Sequence, residues 1–272
     1  MNASTRLRVG IFGVGSIGQV IATALDSRQI DAQLVGLTDQ ERERAEAFAA
    51  SLSSSPRVVS LHELIQRTDL VVEATSQGAL SEFVPKALAA SRDMMIMSVG
   101  GLLGHEDWFQ QAEERRCRIY VPSGAIAGLD GIKSASMGCV QSAVLTSRKP
   151  VAALRGTKYV LENSVQLDRL TAETVIFEGT AEEAARAFPT TSNVAASLRL
   201  AVDRSVPVRV CVVAVPGGNK NVHEIRVQGE FGRLSVDVEN VPSKTNPRTS
   251  QLAAFSALAS LKNLTRALRV GT

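Results

Sequence analysis

Short, almost unbroken apolar runs alternate with stretches of helical periodicity through the first half of the chain. Runs at residues 8–12, 33–37, 69–74, 94–99 and 117–121 have the continuous hydrophobicity of strands covered on both faces. Between them, residues 17–25, 41–52, 61–66, 78–90 and 106–116 repeat apolar side chains at helical spacing, as Ala45, Phe48 and Ala49 do, or Phe83, Val84 and Leu88. Ser53-Ser54-Ser55-Pro56 and Pro122-Ser123-Gly124 punctuate the series. Strand–helix alternation of this kind predicts a doubly wound parallel sheet of about six strands.

The pattern changes after residue 140. Residues 143–146, 158–161, 174–177, 208–215, 222–228 and 234–238 read as strands, with Gly217-Gly218-Asn219 and Gly232-Arg233 as hairpin-style links. Residues 181–187, with Thr180 as N-cap, and 193–201 read as helices. This half predicts a mostly antiparallel sheet with helices on one face, an α+β domain. An Ala- and Leu-rich helix over 249–268 is expected to return to the first domain. The expected division is therefore 1–124 with 248–272, and 125–247.

The first strand runs into Gly13-Val14-Gly15-Ser16-Ile17-Gly18, a helix follows, and Asp39 stands just past the second strand, 21 residues after Gly18. Strand, G-x-G-x-x-G turn, helix, strand and acid in this order make a dinucleotide-binding, Rossmann-type unit. Gly13 permits the tight turn, Gly15 lets backbone approach a pyrophosphate, and Gly18 lets the helix lie close to the strand. The first N–H groups of the helix, at Ser16 and Ile17, face the phosphates. Asp39 is placed to accept the ribose hydroxyls of NAD, while Arg42 and Arg44 keep a 2′-phosphate, and so NADP, open. Ligands of doubly wound sheets lie beyond the carboxyl ends of the strands, which here carry Asp39, Ala74–Gln77, Ser98–Gly101 and Ser123–Ala125.

Composition narrows the reading little further. The 272 residues suit one large domain or two ordinary ones, and 44% hydrophobic content supplies a core. Thirty basic and 27 acidic residues leave a net charge of +3 without a block of like charge, which gives no sign of a nucleic-acid partner. Cys117, Cys139 and Cys211 are scattered and form no metal or disulfide pattern, which fits a reducing cytoplasm. No 18-residue apolar run is present, so no membrane association is expected.

Three histidines are candidates for acid–base work. His62 and His105 sit at helix starts and read as solvated. His223 begins a strand after a glycine loop, where an imidazole can be aimed into an interdomain cleft; position alone leaves a structural histidine open. No G-x-S-x-G elbow, Cys–His pairing or H-E-x-x-H motif occurs, and no metal site is expected. Their absence favours chemistry carried by a nicotinamide cofactor.

Several phrases then agree in order: Gly13–Gly18; Glu73-Ala74-Thr75-Ser76-Gln77; Ser98-Val99-Gly100-Gly101-Leu102; Pro122-Ser123-Gly124-Ala125-Ile126-Ala127-Gly128-Leu129-Asp130; Asn193-Val194-Ala195-Ala196; Asn221-Val222-His223-Glu224-Ile225; and Asn246-Pro247-Arg248-Thr249-Ser250. As a set they resemble the L-aspartate dehydrogenase family over nearly the whole chain. The resemblance implies NAD(P)-dependent oxidative deamination of L-aspartate to iminoaspartate, which hydrolyses to oxaloacetate and ammonia or feeds NAD biosynthesis. It implies a homodimer, with the second domain serving substrate, catalysis and dimerisation. It assigns the catalytic histidine to His223 and cofactor contacts to Ala125 and Asn193. Ala74 and Ser98 are expected near the nicotinamide. Lys133, Lys244, Arg248, Thr249 and Ser250 are the candidates for holding the dicarboxylate. One departure stands out, since Thr191 replaces an asparagine the family often carries. Three other readings share the architecture: a dehydrogenase of another amino acid or 2-oxo acid, a non-catalytic NAD sensor, and a homoserine-dehydrogenase-like or dihydrodipicolinate-reductase-like enzyme.

Overall fold

The structure is a computed structural model that describes residues 6–189, 192–241 and 250–271. It divides into two compact units, Met1–Pro122 with Ala254–Arg269, and Ser123–Ala253 with Val270–Thr272.

The first unit alternates strands and helices as the apolar runs require: β1 (Leu7–Phe12), α1 (Ser16–Asp26), β2 (Ala32–Thr38), α2 (Arg42–Ser51), α3 (Leu61–Arg67), β3 (Leu70–Glu73), α4 (Leu80–Ala89), β4 (Asp93–Ile96), α5 (Glu106–Glu114) and β5 (Ile119–Tyr120). All pairings are parallel and the strand order is β2-β1-β3-β4-β5. The sheet has five strands where about six were expected, one for each of the five apolar runs, and a single parallel bridge from Leu37 to Val58 extends its β2 edge. Alternate residues serve opposite faces. Val9, Ile11, Leu70, Val72 and Met95 join α1, and Val71, Met94 and Ile96 are equally buried on the other side. Full burial of each such side chain contributes about 1.5–3 kcal/mol. The chain leaves β1 for β2 on one side and continues to β3 on the other, so a crevice opens where the order reverses.

The second unit runs α6 (Leu129–Ala135), β6 (Val140–Pro150), α7 (Val151–Leu154), α8 (Lys158–Glu162), β7 (Thr174–Thr180), α9 (Ala181–Ala187), α10 (Asn193–Ala201), β8 (Val208–Val215), β9 (Asn221–Gly229) and β10 (Gly232–Asn240), after which the chain forms α11 (Gln251–Thr265), most of which belongs to the first unit. Its sheet has the order β10-β9-β6-β8-β7 and is mixed, mostly antiparallel, because β6 and β8 run parallel. Thr180 caps α9 through a full capping box with Glu183, which fixes the β7–α9 corner. One sheet face, with Leu145, Val210, Val212, Ile225 and Val227, buries itself under α6, α9 and α10. Ala257 and Leu261 of α11 belong to the core of the first unit, so the last helix does return there.

Two local expectations fail. Residues 158–161 form α8 rather than a strand; four residues of mixed β-branched and aromatic character do not distinguish the two, and Tyr159 instead packs against Phe177 and Phe188. Gly217-Gly218-Asn219 does not close a hairpin, because β6 lies between β8 and β9. The link between β9 and β10 is a true hairpin, with Gly229 opposite Gly232.

Candidate active site

The nucleotide end is built first by steric need. Gly13 has φ +100°, and a side-chain carbon there would lie 2.5 Å from the Ala74 carbonyl. A side-chain carbon on Gly18 would come within 1.9 Å of the Gly13 carbonyl, whereas one on Gly15 would meet no protein atom within 4 Å. Gly15 is thus the open position, at the N-cap of α1, with the first N–H groups of Ser16 and Ile17 behind it. The Gly13 N–H donates to the Thr38 carbonyl at 2.8 Å, tying the turn to the end of β2.

Asp39 completes that tie. Its carboxylate accepts the Val14 N–H at 2.6 Å, the Glu41 N–H at 2.9 Å and the Arg44 guanidinium at 2.7 Å, and its side chain is 4% exposed. Burial alone would raise its proton affinity; the Val14 N–H, Arg44 and the Glu41 N–H outweigh that and hold the carboxyl below the usual range. Asp39 therefore clamps the glycine turn, and its three donors leave one of the roughly four acceptor sites of a carboxylate open. Arg44 stands at the rim, and Arg42 is engaged with Glu46 at 2.7 Å.

Glu73, at the end of β3, is a residue the sequence reading passed over. It is fully buried and accepts five hydrogen bonds, from the N–H and hydroxyl of Thr75, the N–H of Met97, and the N–H and hydroxyl of Ser98. It joins the two loops carrying Ala74 and Ser98 into one floor. Gly13, Gly15, Asp39 and Ala74 line a single cleft of about 650 Å³ at the carboxyl ends of β1, β2 and β3. An open glycine turn, unobstructed helix N–H groups and this volume fit a dinucleotide.

In the second unit the apolar sheet face ends in polar residues. His223 on β9 is 4% exposed, and its Nδ1 lies 2.9 Å from the hydroxyl of Ser147 directly across on β6. Among the described residues its Nε2 makes no hydrogen bond. Burial first, and then the charge of Lys149, push its pKa down to about 3, so the ring is a neutral imidazole at physiological pH. Asn221 shares that face and is opposite Asn240 on β10. Asn240 donates through Nδ2 to the Ala125 carbonyl at 2.9 Å and accepts from the Ser250 hydroxyl. Ser250 also accepts the Leu252 N–H at 3.1 Å at the start of α11. Thus Ala125, Ser250 and the strand end bearing His223 are joined by one short network, and Asn193 opens α10.

Other expected site residues are not among the groups joined above. Lys133 is on the exposed side of α6. Lys244, Arg248 and Thr249, and also Thr191, fall outside the described residues. His62 is exposed, and His105 stacks on Trp108 with ring centroids 3.7 Å apart. The three cysteines are free, and no cluster of metal-ligating side chains occurs among the described residues. Nor, among those residues, is any helix long and apolar enough to cross a membrane.

A doubly wound sheet with an open glycine turn, in one chain with an α+β unit carrying a buried neutral imidazole, defines a nicotinamide-dependent dehydrogenase. The family model described as "Aspartate dehydrogenase, C-terminal" matches residues 130–264, and that of the NAD binding domain of homoserine dehydrogenase matches 13–122. The chain is 44% identical over 270 residues to L-aspartate dehydrogenase of Methanosarcina mazei, covering 98% of this chain and 100% of that one. It is 45% identical to the enzyme of the same name from Methanosarcina acetivorans, with the same coverage. It therefore belongs to the aspartate dehydrogenase family. The crystal structure of aspartate dehydrogenase from Thermotoga maritima superposes with a TM-score of 0.76 at 25% identity, covering 97% of this chain and 99% of that one. A homoserine dehydrogenase from Thiobacillus denitrificans, at 14% identity and a TM-score of 0.61, shares the fold alone.

Proposed function

We propose that this chain oxidises L-aspartate to iminoaspartate, which hydrolyses to oxaloacetate and ammonia, with NAD or NADP as acceptor and His223 as the acid–base residue. The observation that carries the reading is His223 itself: a buried neutral imidazole, fixed through Nδ1 by Ser147, in a chain aligned end to end with L-aspartate dehydrogenases. Bound nicotinamide supplies the hydride acceptor. The glycine turn and α1 hold its pyrophosphate, Asp39 and Arg44 stand at the adenosine ribose, and the floor tied by Glu73 positions Ala74 and Ser98. Ala125 and Asn193 contribute to cofactor binding from the second unit. With Nδ1 engaged by Ser147, Nε2 is the nitrogen that takes a proton from the substrate amine or from the water that attacks the imine. Ser250, together with Lys133, Lys244 and Thr249, is assigned to the substrate carboxylates.

The same reading makes the protein a cytoplasmic homodimer whose second unit serves catalysis and dimerisation, and whose iminoaspartate product feeds NAD biosynthesis. Sedimentation of the purified chain reads the dimer directly. The activity is tested with L-aspartate, L-glutamate and L-homoserine, each with NAD⁺ and NADP⁺, by following absorbance of the reduced nicotinamide. Turnover with L-aspartate and not the others is expected. Binding of NADH without turnover of any amino acid would reduce the protein to a nucleotide binder.

A further inference from the structure

Lys149 on β6 is 6% exposed, and among the described residues no ion pair and no hydrogen bond reaches its ammonium. Burying a charge without a partner costs several kcal/mol, and most proteins avoid it. The residue is two positions from Ser147 on the same sheet face, the face that carries His223. It lines a small cavity with Ser147, Phe188, Ser192, Val194 and Val212, whose free volume of about 10 Å³ holds roughly one oxygen-sized group. At this end of the sheet two fully buried polar atoms lack a partner among the described residues, the hydroxyl of Ser192 at the start of α10 and Oδ1 of Asn221.

The groups facing Lys149 are few. His223 on β9 is the titratable one; β8 presents Val212 and Ala214; the ends of α9 and α10 present Phe188, Ser192 and Val194. Arg148 and Glu224, paired at 3.1 Å, lie on the opposite face of the sheet. A cation and a hydroxyl donor therefore converge on a hole sized for one oxygen, with no anion supplied by the described chain.

We propose that Lys149 is a substrate anchor, its ammonium taking one carboxylate of the dicarboxylic substrate while Ser192 donates to the same group. This rests on the reading of the protein as an NAD(P)-dependent L-aspartate dehydrogenase, and adds the residue that selects a second carboxylate. A carboxylate oxygen entering the hole supplies the negative charge that the ammonium lacks, which a neutral hydroxyl does not. The arrangement also couples binding to chemistry. Burial lowers the Lys149 pKa to about 8, so the side chain remains mostly charged at neutral pH and depresses proton uptake by His223. A bound carboxylate cancels that field and raises the basicity of the imidazole when substrate arrives.

The probe is succinate, which has both carboxylates and no amine to oxidise. Calorimetric titration into the cofactor-loaded full chain compares the parent with Lys149→Met and Ser192→Ala. The parent is expected to bind succinate with an affinity that falls about tenfold per pH unit above a pH of about 8. Lys149→Met is expected to lose about 10²-fold or more in succinate affinity, to raise KM for L-aspartate by a similar factor with KM for the cofactor unchanged, and to melt no lower than the parent. Ser192→Ala is expected to lose about tenfold. Succinate affinity that is independent of pH in the parent, or retained in Lys149→Met, overturns the anchor. So does a variant in which only the pH profile of kcat moves, which would make Lys149 a modulator of His223 alone. If the parent binds succinate through Lys149 yet oxidises no amino acid, the dehydrogenase reading falls and the dicarboxylate site stands.

Discussion

The most deeply buried charged side chain of each unit is treated in an opposite way. In the first, Glu73 and Asp39 lie in the interior with every oxygen engaged, by five and three donors respectively. In the second, Lys149 is as deeply buried with no partner among the described residues, and His223 has one, the Ser147 hydroxyl. A fully satisfied network fixes loops in a single geometry. An unsatisfied one holds the site in a state that a ligand of opposite charge completes. On the proposed reading, the first unit is a finished cradle for the cofactor and the second is a receptor for the substrate.

The contrast can be attacked at four points, from the largest effect to the smallest. Gly18→Ala places a carbon against the Gly13 carbonyl and is expected to cost about 3 kcal/mol in denaturant unfolding and to abolish NADH binding by fluorescence. Normal binding in that variant would show the turn to be adaptable. Glu73→Gln turns acceptor to donor in front of five donors; a loss of roughly 2 kcal/mol in unfolding free energy is expected, with NADH affinity reduced, and an unchanged melting curve would remove Glu73 from the floor of the cleft.

The third point is pH. His223 has a folded pKa of about 3 against 6.5 when exposed, so between those values the unfolded chain holds a proton the folded chain does not. The contribution of this group is therefore full above about 6.5 and falls as pH drops toward 3, by about 1.4 kcal/mol per unit. Asp39, held below its usual range, adds to the loss at the acid end. His223→Ala should flatten the slope across this window, and an identical slope would mean that the ring is not buried in its neutral form. Gly15→Ala is the smallest structural change. With open space around the position, stability should shift by less than about 1 kcal/mol while NADH binding weakens about tenfold or more. A large loss of stability would place Gly15 in the packing rather than at the pyrophosphate.

What could be read from sequence follows the same division. Gly13, Gly15, Gly18 and Asp39 obey a local grammar of fixed spacings, and the structure gathers Gly13, Gly15 and Asp39 with Ala74 on one cleft while Gly18 packs against the turn. The second role of Asp39, clamping Val14, depends on how the end of β2 lies beside the turn, which no spacing encodes. Glu73 reads as the polar end of an apolar run, because its five donors come from two loops more than 20 residues apart in sequence. Lys149 is hidden for a related reason. Arg148-Lys149-Pro150 looks like a charged stop, yet β6 continues through it, and strand alternation turns Arg148 outward and Lys149 into the core. His223 was found through the phrase around it, while its partner Ser147 is set only by the register of β6 with β9.

The account is tested most directly by one paired measurement on His223→Ala, with initial rates on L-aspartate at saturating cofactor set beside NADH titration of the same sample. The expected result is a turnover lower by roughly 10²–10⁴ with NADH affinity unchanged. Turnover equal to the parent, or loss of NADH binding together with activity, would contradict the assignment of proton transfer to the imidazole of the second unit.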